Sequence, residues 1–375
     1  MGKLRNMLTR LLMLMVTTAA AYGQAPLVWE YPTGGSPAVA VSADGQYVAA
    51  GGYAGGHRLH LFSTDQAQPL WTYLTSPTGN GVEFCRFSRD GQYIAAGENA
   101  SSGRRSGTFH LFDREKGSPL WTYQDPFAID YLSVSADGQY TAALFRSYVP
   151  VRSRLLLFHY TSAEPVMAYE SDEFLISAEI SLDGQYVVVG SGRGSEAGRL
   201  YVFGRQTAEP LWSYEAPAPI SGVPLPIDSQ YIIARSGGSI YWFVLFETEP
   251  AFRYDAAGRG FALSDNGAYL ATASPESNRV FLYHNYAGEL TWSAPTRSAV
   301  WGVSISADGD DIASSSGPDD EGPAFITFFS QSDSQLLWEY RVNNTPAWPA
   351  VAQVSADGRY VAVSEMFALH LLLAQ

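Results

Sequence analysis

A short turn motif recurs along the chain and is the feature that most limits its fold. The best copies read SADGQY or a close variant, with Asp-Gly at the third and fourth positions. Asp-Gly supplies the positive φ that a tight hairpin turn requires. The eight copies start at Ser42, Ser88, Ser135, Ser181, Pro226, Ser264, Ser306 and Ser355. Their spacing of about 45 residues is typical of radial or stacked repeats rather than of two unrelated domains.

Apolar runs flank each turn, and further runs complete the repeat. In the second copy the runs are VEFCRF before the turn, YIAAG after it, FHLF from Phe109 and PLWTY from Pro119. Runs that are apolar on both faces predict sheets that are covered on both sides. Four strands per repeat describe the blade of a β-propeller.

The two ends of the chain complement each other. The eighth copy stops after its third run, LHLLL from Leu369, whereas a single fourth-type run, LVWEY from Leu27, precedes the first copy. Pairing these two runs closes a ring and removes the unpaired edges that an open stack exposes. The sequence therefore predicts an all-β, eight-bladed β-propeller with four-stranded antiparallel blades, in which the N-terminal strand closes the last blade.

Residues 1–23 have the pattern of a secretory signal peptide. Basic residues precede an apolar run, and the small residues Ala21 and Gly23 suit cleavage before Gln24. The apolar run is too short to span a bilayer, so no membrane span is predicted. We expect residues 24–375 to form a single propeller domain, a monomer that is exported to the periplasm or the extracellular space.

The repeat resembles two known propeller types. SADGQYVAAG is similar to the strand–turn–strand of WD40-like repeats, and Asp113, Gly117 and Trp121 have the spacing of the tryptophan-docking motif of quinoprotein (PQQ)-like propellers. In that family the tryptophan packs against the neighbouring blade, which implies a blade-docking role for the matching aromatic residues. These residues are Trp29, Trp71, Trp121, Trp212, Phe252, Trp292 and Trp338. Propellers host many functions, so this resemblance indicates a fold more than a function.

The same resemblance raises an enzymatic alternative, a quinoprotein-like dehydrogenase or another enzyme that uses the mouth of the propeller channel. Many quinoprotein dehydrogenases carry a vicinal disulfide over the cofactor, whereas Cys85 is the single cysteine of this chain. The acidic and amide cluster that binds Ca²⁺ in those enzymes has no convincing equivalent in the sequence. We therefore predict no catalytic residues, no cofactor and no metal site, and favour a non-enzymatic protein.

Several polar residues that could suggest a metal site are explained by structural roles. His60, His110 and His370 share one register of the third run, where the other repeats have apolar residues, so they are predicted packing positions. The acidic loop Asp319-Asp320-Glu321 offers oxygen ligands for Ca²⁺, but it lacks the spacing of a DxDxDG-like calcium loop, so we favour an acidic solvated turn. Whether it binds Ca²⁺ stays open.

Two charged residues are predicted to face the channel. Arg86 and Glu179 both lie two positions before a turn serine, in the first runs that line the propeller centre. We expect them to pair across the channel as a structural contact.

The placement of charge gives the clearest functional indication. The chain has 23 basic and 37 acidic residues, a net charge of −14, which argues against nucleic acid as a partner. In a propeller, the loops that join strands two to three share one face with the loops that join neighbouring blades. Most arginines fall in these loops, so we name this side the arginine face. The opposite side, which holds the Asp-Gly turns, is the turn face.

The arginine face is the predicted binding surface. Arginine forks suit carboxylates, phosphates and protein hot spots, and long loops on a rigid scaffold often carry binding. The longest segments of this kind are Glu98–Gly107 and Arg146–Arg154. The candidate partner-binding residues are Arg104, Arg105, Tyr148, Arg152, Arg154 and Arg193. The sequence thus predicts an exported, non-enzymatic scaffold that binds a protein or a small ligand on this face.

Overall fold

Eight β-sheets arranged as the blades of a ring make up the computed structural model of the chain. None of the described residues lies in a helix. The described residues are 23–24, 26–33, 35, 38–52, 57–77, 79–100, 106–226, 230–258, 260–317, 323–342, 351–365 and 367–374. The predicted signal peptide, apart from its last residue, lies outside these ranges.

The strands follow the repeat. Two strands precede the first blade, β1 (Gly23–Gln24) and β2 (Leu27–Pro32). The first four blades consist of β3 (Ala38–Val41), β4 (Tyr47–Gly51), β5 (Arg58–Ser63), β6 (Pro69–Leu74); β7 (Gly79–Phe87), β8 (Tyr93–Ala100), β9 (Gly107–Asp113), β10 (Pro119–Asp125); β11 (Ala128–Val134), β12 (Tyr140–Tyr148), β13 (Val151–His159), β14 (Pro165–Ser171); and β15 (Leu175–Ile180), β16 (Tyr186–Ser191), β17 (Gly198–Gly204), β18 (Pro210–Ala216).

The remaining blades repeat this order up to the last one. Blades 5–7 consist of β19 (Ile220–Gly222), β20 (Tyr231–Ser236), β21 (Ser239–Val244), β22 (Phe252–Asp255); β23 (Gly260–Leu263), β24 (Tyr269–Ser274), β25 (Arg279–His284), β26 (Glu289–Pro295); and β27 (Val300–Ile305), β28 (Asp311–Ser316), β29 (Ala324–Ser330), β30 (Leu336–Val342). Blade 8 has β31 (Val351–Val354), β32 (Tyr360–Ser364) and β33 (Ala368–Leu373). Its fourth strand is β2, which pairs antiparallel with β33, so the predicted ring closure is confirmed. Blade 7 also carries β1, which runs parallel to β30.

The turn motif builds the hairpin between the first two strands of a blade. In blade 1 the Ser42 hydroxyl donates to Asp44 Oδ1 at 2.6 Å and accepts from the Tyr47 backbone N–H at 2.9 Å. Gly45 has φ of +66°, and the glycines of six other copies have φ between +66° and +90°. The motif residues therefore fold the hairpin through local hydrogen bonds and a left-handed glycine.

The hydrophobic core is divided into layers between neighbouring blades. Eight clusters of buried side chains occur, and each combines residues of two adjacent blades. The cluster at the closure joins Trp29 and Leu371 of blade 8 to Val48 and Phe62 of blade 1. Each blade is thus covered on both faces, as its two-sided apolar strands predict.

Indole hydrogen bonds join neighbouring blades. Six tryptophans on fourth strands donate their Nε1–H to a backbone carbonyl just past the third strand of the next blade. These bonds are Trp29 to Thr64 at 2.9 Å, Trp71 to Arg114 at 2.7 Å, Trp121 to Tyr160 at 2.7 Å, Trp212 to Leu245 at 2.9 Å, Trp292 to Gln331 at 2.9 Å and Trp338 to Ala374 at 2.9 Å. Each bond satisfies a polar group at a packed interface, where an unpaired group is costly.

Blade 5 makes the equivalent contact with a different residue. Phe252, which stands at the tryptophan position, is 37% exposed and stacks on Trp242 of its own blade at 5.2 Å. Trp242 lies on the third strand, and its Nε1–H donates to Asn285 Oδ1 of blade 6 at 3.0 Å. Asn285 follows the third strand of blade 6, at the position of the carbonyl acceptors in the other blades.

The channel is bridged at the turn face. Backbone hydrogen bonds run from turn to turn, including Asp90 N–H to Ala136 O at 3.0 Å and Ala136 N–H to Leu182 O at 2.9 Å. An ion pair between Arg89 of blade 2 and Asp265 of blade 6 spans the ring. Since these blades are four apart in a ring of eight, the two side chains meet near the axis.

Candidate binding face

The hairpin of blade 3, formed by β12 and β13, has the longest run of paired residues among the described strands and ends on the arginine face. Strands β12 and β13 have nine residues each and stay in register up to Tyr148 and Val151. The segment Arg146–Arg154, expected to be a loop, is therefore mostly strand, because cross-strand pairing continues to its tip. Val149 at this tip is 91% exposed, and the Val149–Pro150 peptide bond is cis.

Arg146 holds this hairpin against blade 4. Its Nε lies 2.7 Å from Asp130 Oδ2, its Nη1–H donates to the Leu175 carbonyl at 2.6 Å, and its guanidinium lies 4.0 Å from the ring centre of Phe174. Burial raises the pKa of Asp130, an effect that the Arg146 guanidinium opposes. Arg146 is thus a buried clamp that joins Asp130 of its own blade to Leu175 of blade 4, rather than a free arginine.

Tyr148 belongs to the same clamp. Its hydroxyl accepts from Arg146 Nη2 at 3.0 Å and donates to Asp130 Oδ2 at 3.4 Å. Its ring meets Phe174 edge-on with centroids 5.5 Å apart. This half-buried side chain therefore supports the hairpin next to its tip.

Arg154 and Arg152 also have carboxylate partners. Arg154 Nη1 lies 3.0 Å from the buried Asp125 and its Nε lies 2.9 Å from Glu170. Arg152 Nε lies 3.7 Å from Asp172, and both side chains are exposed. Much of the positive charge expected to meet a partner is therefore neutralised within the face.

Arg193 differs from these residues. It is exposed and its guanidinium lies 5.6 Å from the ring centre of Phe174. Among the described residues no carboxylate lies within ion-pair distance of it. Arg104 and Arg105, the other two candidates, lie outside the described residues.

A cleft of about 380 Å³ opens between blades 3 and 4 on the arginine face. We name it the blade 3–4 cleft. Phe174 and Arg193 line it together with Glu196, and Arg199 crosses it toward Glu173 at 3.2 Å and Glu215 at 3.5 Å. A smaller depression of about 210 Å³ beside it is lined by Phe127, Arg152, Ser153, Glu170, Ser171 and Asp172. The face thus combines an exposed apolar tip with a charged, aromatic cleft.

Sequence reasoning missed several exposed apolar residues of the same face. Trp301, Val351 and Phe367 are 49%, 49% and 52% exposed. Trp301 sits at a β-bulge in the first strand of blade 7, where pairing skips from Val300 to Gly302. The sequence does not distinguish these side chains from the buried apolar ones. A β-bulge that turns one residue outward, as at Trp301, has no characteristic amino-acid composition that would reveal it.

The channel wall holds a second polar cluster. Glu179 accepts hydrogen bonds from the Tyr131 hydroxyl at 2.7 Å and from the Ser133 hydroxyl. Burial raises the pKa of Glu179, and the nearby Arg86 opposes that shift. No ion pair within 4.0 Å joins Arg86 to Glu179 in the described part of the chain; Arg86 Nη1–H donates to its neighbour's carbonyl at Cys85 instead. Both residues therefore lie in the channel, and the Tyr131 hydroxyl, which donates to Glu179, is also close to Arg86.

The three histidines of the shared register are buried. His110 Nε2 lies 3.3 Å from Glu98, and His370 Nε2 lies 3.1 Å from Glu365. In blade 1 the position equivalent to Glu98 and Glu365 is Gly52, which has no carboxylate to offer His60. The His60 Nδ1 lies 2.8 Å from Thr72 Oγ1. Within the described ranges, no group of three or more His, Cys, Asp or Glu side chains is arranged to hold a metal ion. The acidic loop at Asp319 lies outside those ranges.

Comparison with known proteins supports the fold. No protein-family model matches the chain, and no curated protein matches its sequence. Among solved structures, it is similar to the β-propeller domain of Cps50 (Swd1) from Myceliophteria thermophila, with a TM-score of 0.58 and 13% identity over 77% of this chain and 95% of that one. It is also similar to Sqt1 from Saccharomyces cerevisiae, with a TM-score of 0.65 and 14% identity over 94% of this chain and 99% of that one.

At these identities the likeness shows the β-propeller fold, which the WD40-like part of the resemblance implies. The quinoprotein-like part stays a prediction. In the part of the chain that the structure describes, no helix has the length and apolar character needed to cross a membrane.

Proposed function

We propose that this propeller is an exported, non-enzymatic scaffold that binds a protein partner through its arginine face. The observation that carries the proposal is the blade 3 hairpin, which presents Val149 with 91% exposure on a braced base. An exposed apolar side chain on a rigid support loses little conformational entropy on binding, which favours a hot spot.

The surroundings of the hairpin support this choice. Arg146 ties the hairpin to Asp130 and to Tyr148, while Arg152 remains exposed beside the tip. Exposed Trp301 and Phe367 add apolar area on the same face, and aromatic anchors are enriched at the centres of protein interfaces. Export rests on the signal-peptide pattern of residues 1–23.

Substitution of the hairpin tip tests the proposal. Val149→Asp places a charge where an apolar anchor is expected, and we expect it to weaken partner binding at least tenfold. Affinity capture from the native exported fraction, followed by titration of the captured partner, measures the loss. Glu164→Gln is the matched control, because Glu164 is exposed on the turn face of the same blade. Equal capture by both variants and the parent protein contradicts the proposal.

A further inference from the structure

The blade 3–4 cleft has one cation and one anion left over after its internal pairs are counted. Arg199 is held by Glu173 and Glu215, and Asp172 pairs with Arg152. Among the described lining residues, Arg193 and Glu196 have no ionic partner, although both are exposed on the same loop.

The loop keeps these two side chains apart from each other. The Glu196 backbone N–H donates to the Arg193 carbonyl at 3.1 Å, which makes a compact turn. The Arg193 guanidinium lies over Phe174, at 5.6 Å from its ring centre, and no ion pair with Glu196 forms within 4.0 Å. The cleft therefore presents five guanidinium donors and a carboxylate at separate points.

The other lining groups decide which ligand charge fits. The lining carries two arginines against four carboxylates, so a purely anionic ligand approaches Arg193 against an unfavourable field. A purely cationic ligand gains from that field but leaves Arg193 without a partner. A ligand with both charges satisfies Arg193 and Glu196 together.

The size and floor of the cleft point to a small ligand. Its volume of about 380 Å³ is near the lower end of the roughly 300–1,000 Å³ typical of ligand sites. Phe174 supplies an apolar floor, and the guanidinium of the buried Arg146 lies 4.0 Å from its ring centre. An aliphatic or aromatic side chain of a ligand has a ring to pack on there.

We propose that the cleft binds a small zwitterion, an amino acid or a short peptide, with its carboxylate on Arg193 and its ammonium on Glu196. The inference goes beyond the proposed function, since it gives the arginine face a small ligand in addition to a protein partner. It does not use Val149, which lies outside the cleft lining.

Calorimetric titration with leucine and its blocked forms tests the pairing. We expect leucine or the dipeptide Leu-Leu to bind, and leucinamide and N-acetyl-leucine to bind roughly tenfold or more weakly. Comparison of leucine with Leu-Leu distinguishes a free amino acid from a peptide as the ligand. No binding by either zwitterion, or equal binding by the blocked forms, overturns the proposal.

Two variants assign each charge to its residue. Arg193→Gln is expected to abolish the preference for leucine over leucinamide, and Glu196→Gln the preference for leucine over N-acetyl-leucine. Both side chains are exposed, so the variants keep the fold, which thermal melting checks. Unchanged preferences in both variants overturn the assignment. The capture experiment with Val149→Asp is independent of these titrations. If no zwitterion binds, the proposed protein-binding function still stands, and if capture does not depend on Val149, the ligand proposal still stands.

Discussion

At the residue scale, the arginines of the arginine face act mainly within the protein. Arg146, Arg154 and Arg199 each meet at least one carboxylate at 3.2 Å or less. Such pairs satisfy charges that burial or crowding makes costly. Counting arginines in loops predicted where the arginines lie, but not that carboxylates of neighbouring strands and loops pair with them. Arg193 is the informative exception because stacking on Phe174 leaves its donors available.

His60 gives a testable pH dependence at this scale. Burial, with a smaller contribution from Arg58, lowers the pKa of His60 from 6.5 to about 4. Because the unfolded chain binds this proton more readily, the stabilising effect of neutral His60 is complete above pH 6.5 and is lost as the pH falls toward 4. The loss is on the order of 3 kcal/mol.

His60→Leu and His60→Gln remove this titration. Urea unfolding between pH 7 and pH 4 should show the free energy of unfolding of the parent protein falling relative to both variants. Leu keeps an apolar side chain, as Leu156 does in the same register of blade 3, and Gln keeps a hydrogen-bonding group for Thr72. Parallel pH profiles for all three proteins contradict the expectation.

At the element scale, the hairpins show what local sequence encodes. The Ser-x-Asp-Gly turns form from their own hydrogen bonds, so the sequence predicts them well. The blade 3 hairpin is longer than expected because its pairing continues through Arg146–Arg154. That extension depends on Arg146, whose partners on Asp130 and Leu175 are distant along the chain. Such tertiary support has no local pattern, which explains why the segment reads as a loop.

The Arg146 clamp makes a prediction for this element. Arg146→Met leaves Asp130 without its cationic partner and the Leu175 carbonyl without its donor, and we expect a loss of about 3 kcal/mol in the free energy of unfolding. Urea denaturation measures it. Arg152→Gln is the matched control in the same hairpin, since its exposed pair with Asp172 contributes below about 1 kcal/mol. Similar small losses in both variants argue against the clamp.

At the scale of the whole molecule, the ring depends on its two ends. The incomplete eighth repeat and the isolated run at Leu27 predicted the closure, because strand counting is independent of distance along the chain. The sequence did not predict which residue of blade 5 makes the contact to blade 6. Phe252 occupies the tryptophan position, yet Trp242 makes the contact to blade 6, because an indole on the third strand also reaches Asn285. The candidate cleft joins side chains of two blades, a proximity that the repeat alone does not specify.

Truncation tests the closure. A chain that starts at Gln24 keeps β2, whereas a chain that starts at Thr33 leaves the edge of β33 unpaired and removes the Trp29 bond to Thr64. We expect the shorter chain to melt at least 10 °C lower, or to aggregate through its open edge. Differential scanning calorimetry and size-exclusion chromatography make the comparison. Equal melting temperatures and elution volumes for the two chains contradict a structural role of β2.

The pairing of β2 with β33 also sets an order of events during synthesis. Leu27–Pro32 is synthesised before the strands of the first seven blades, whereas its partner Ala368–Leu373 is synthesised after them. Until β33 is made, the apolar cluster around Trp29 lacks Leu369 and Leu371, which that strand contributes. The blades between these two strands have all their own strands sooner, but the native ring closes only once Ala368–Leu373 has been made. A propeller whose closing contact must wait for Ala368–Leu373 stays open, with an unpaired Leu27–Pro32, until that strand has been made.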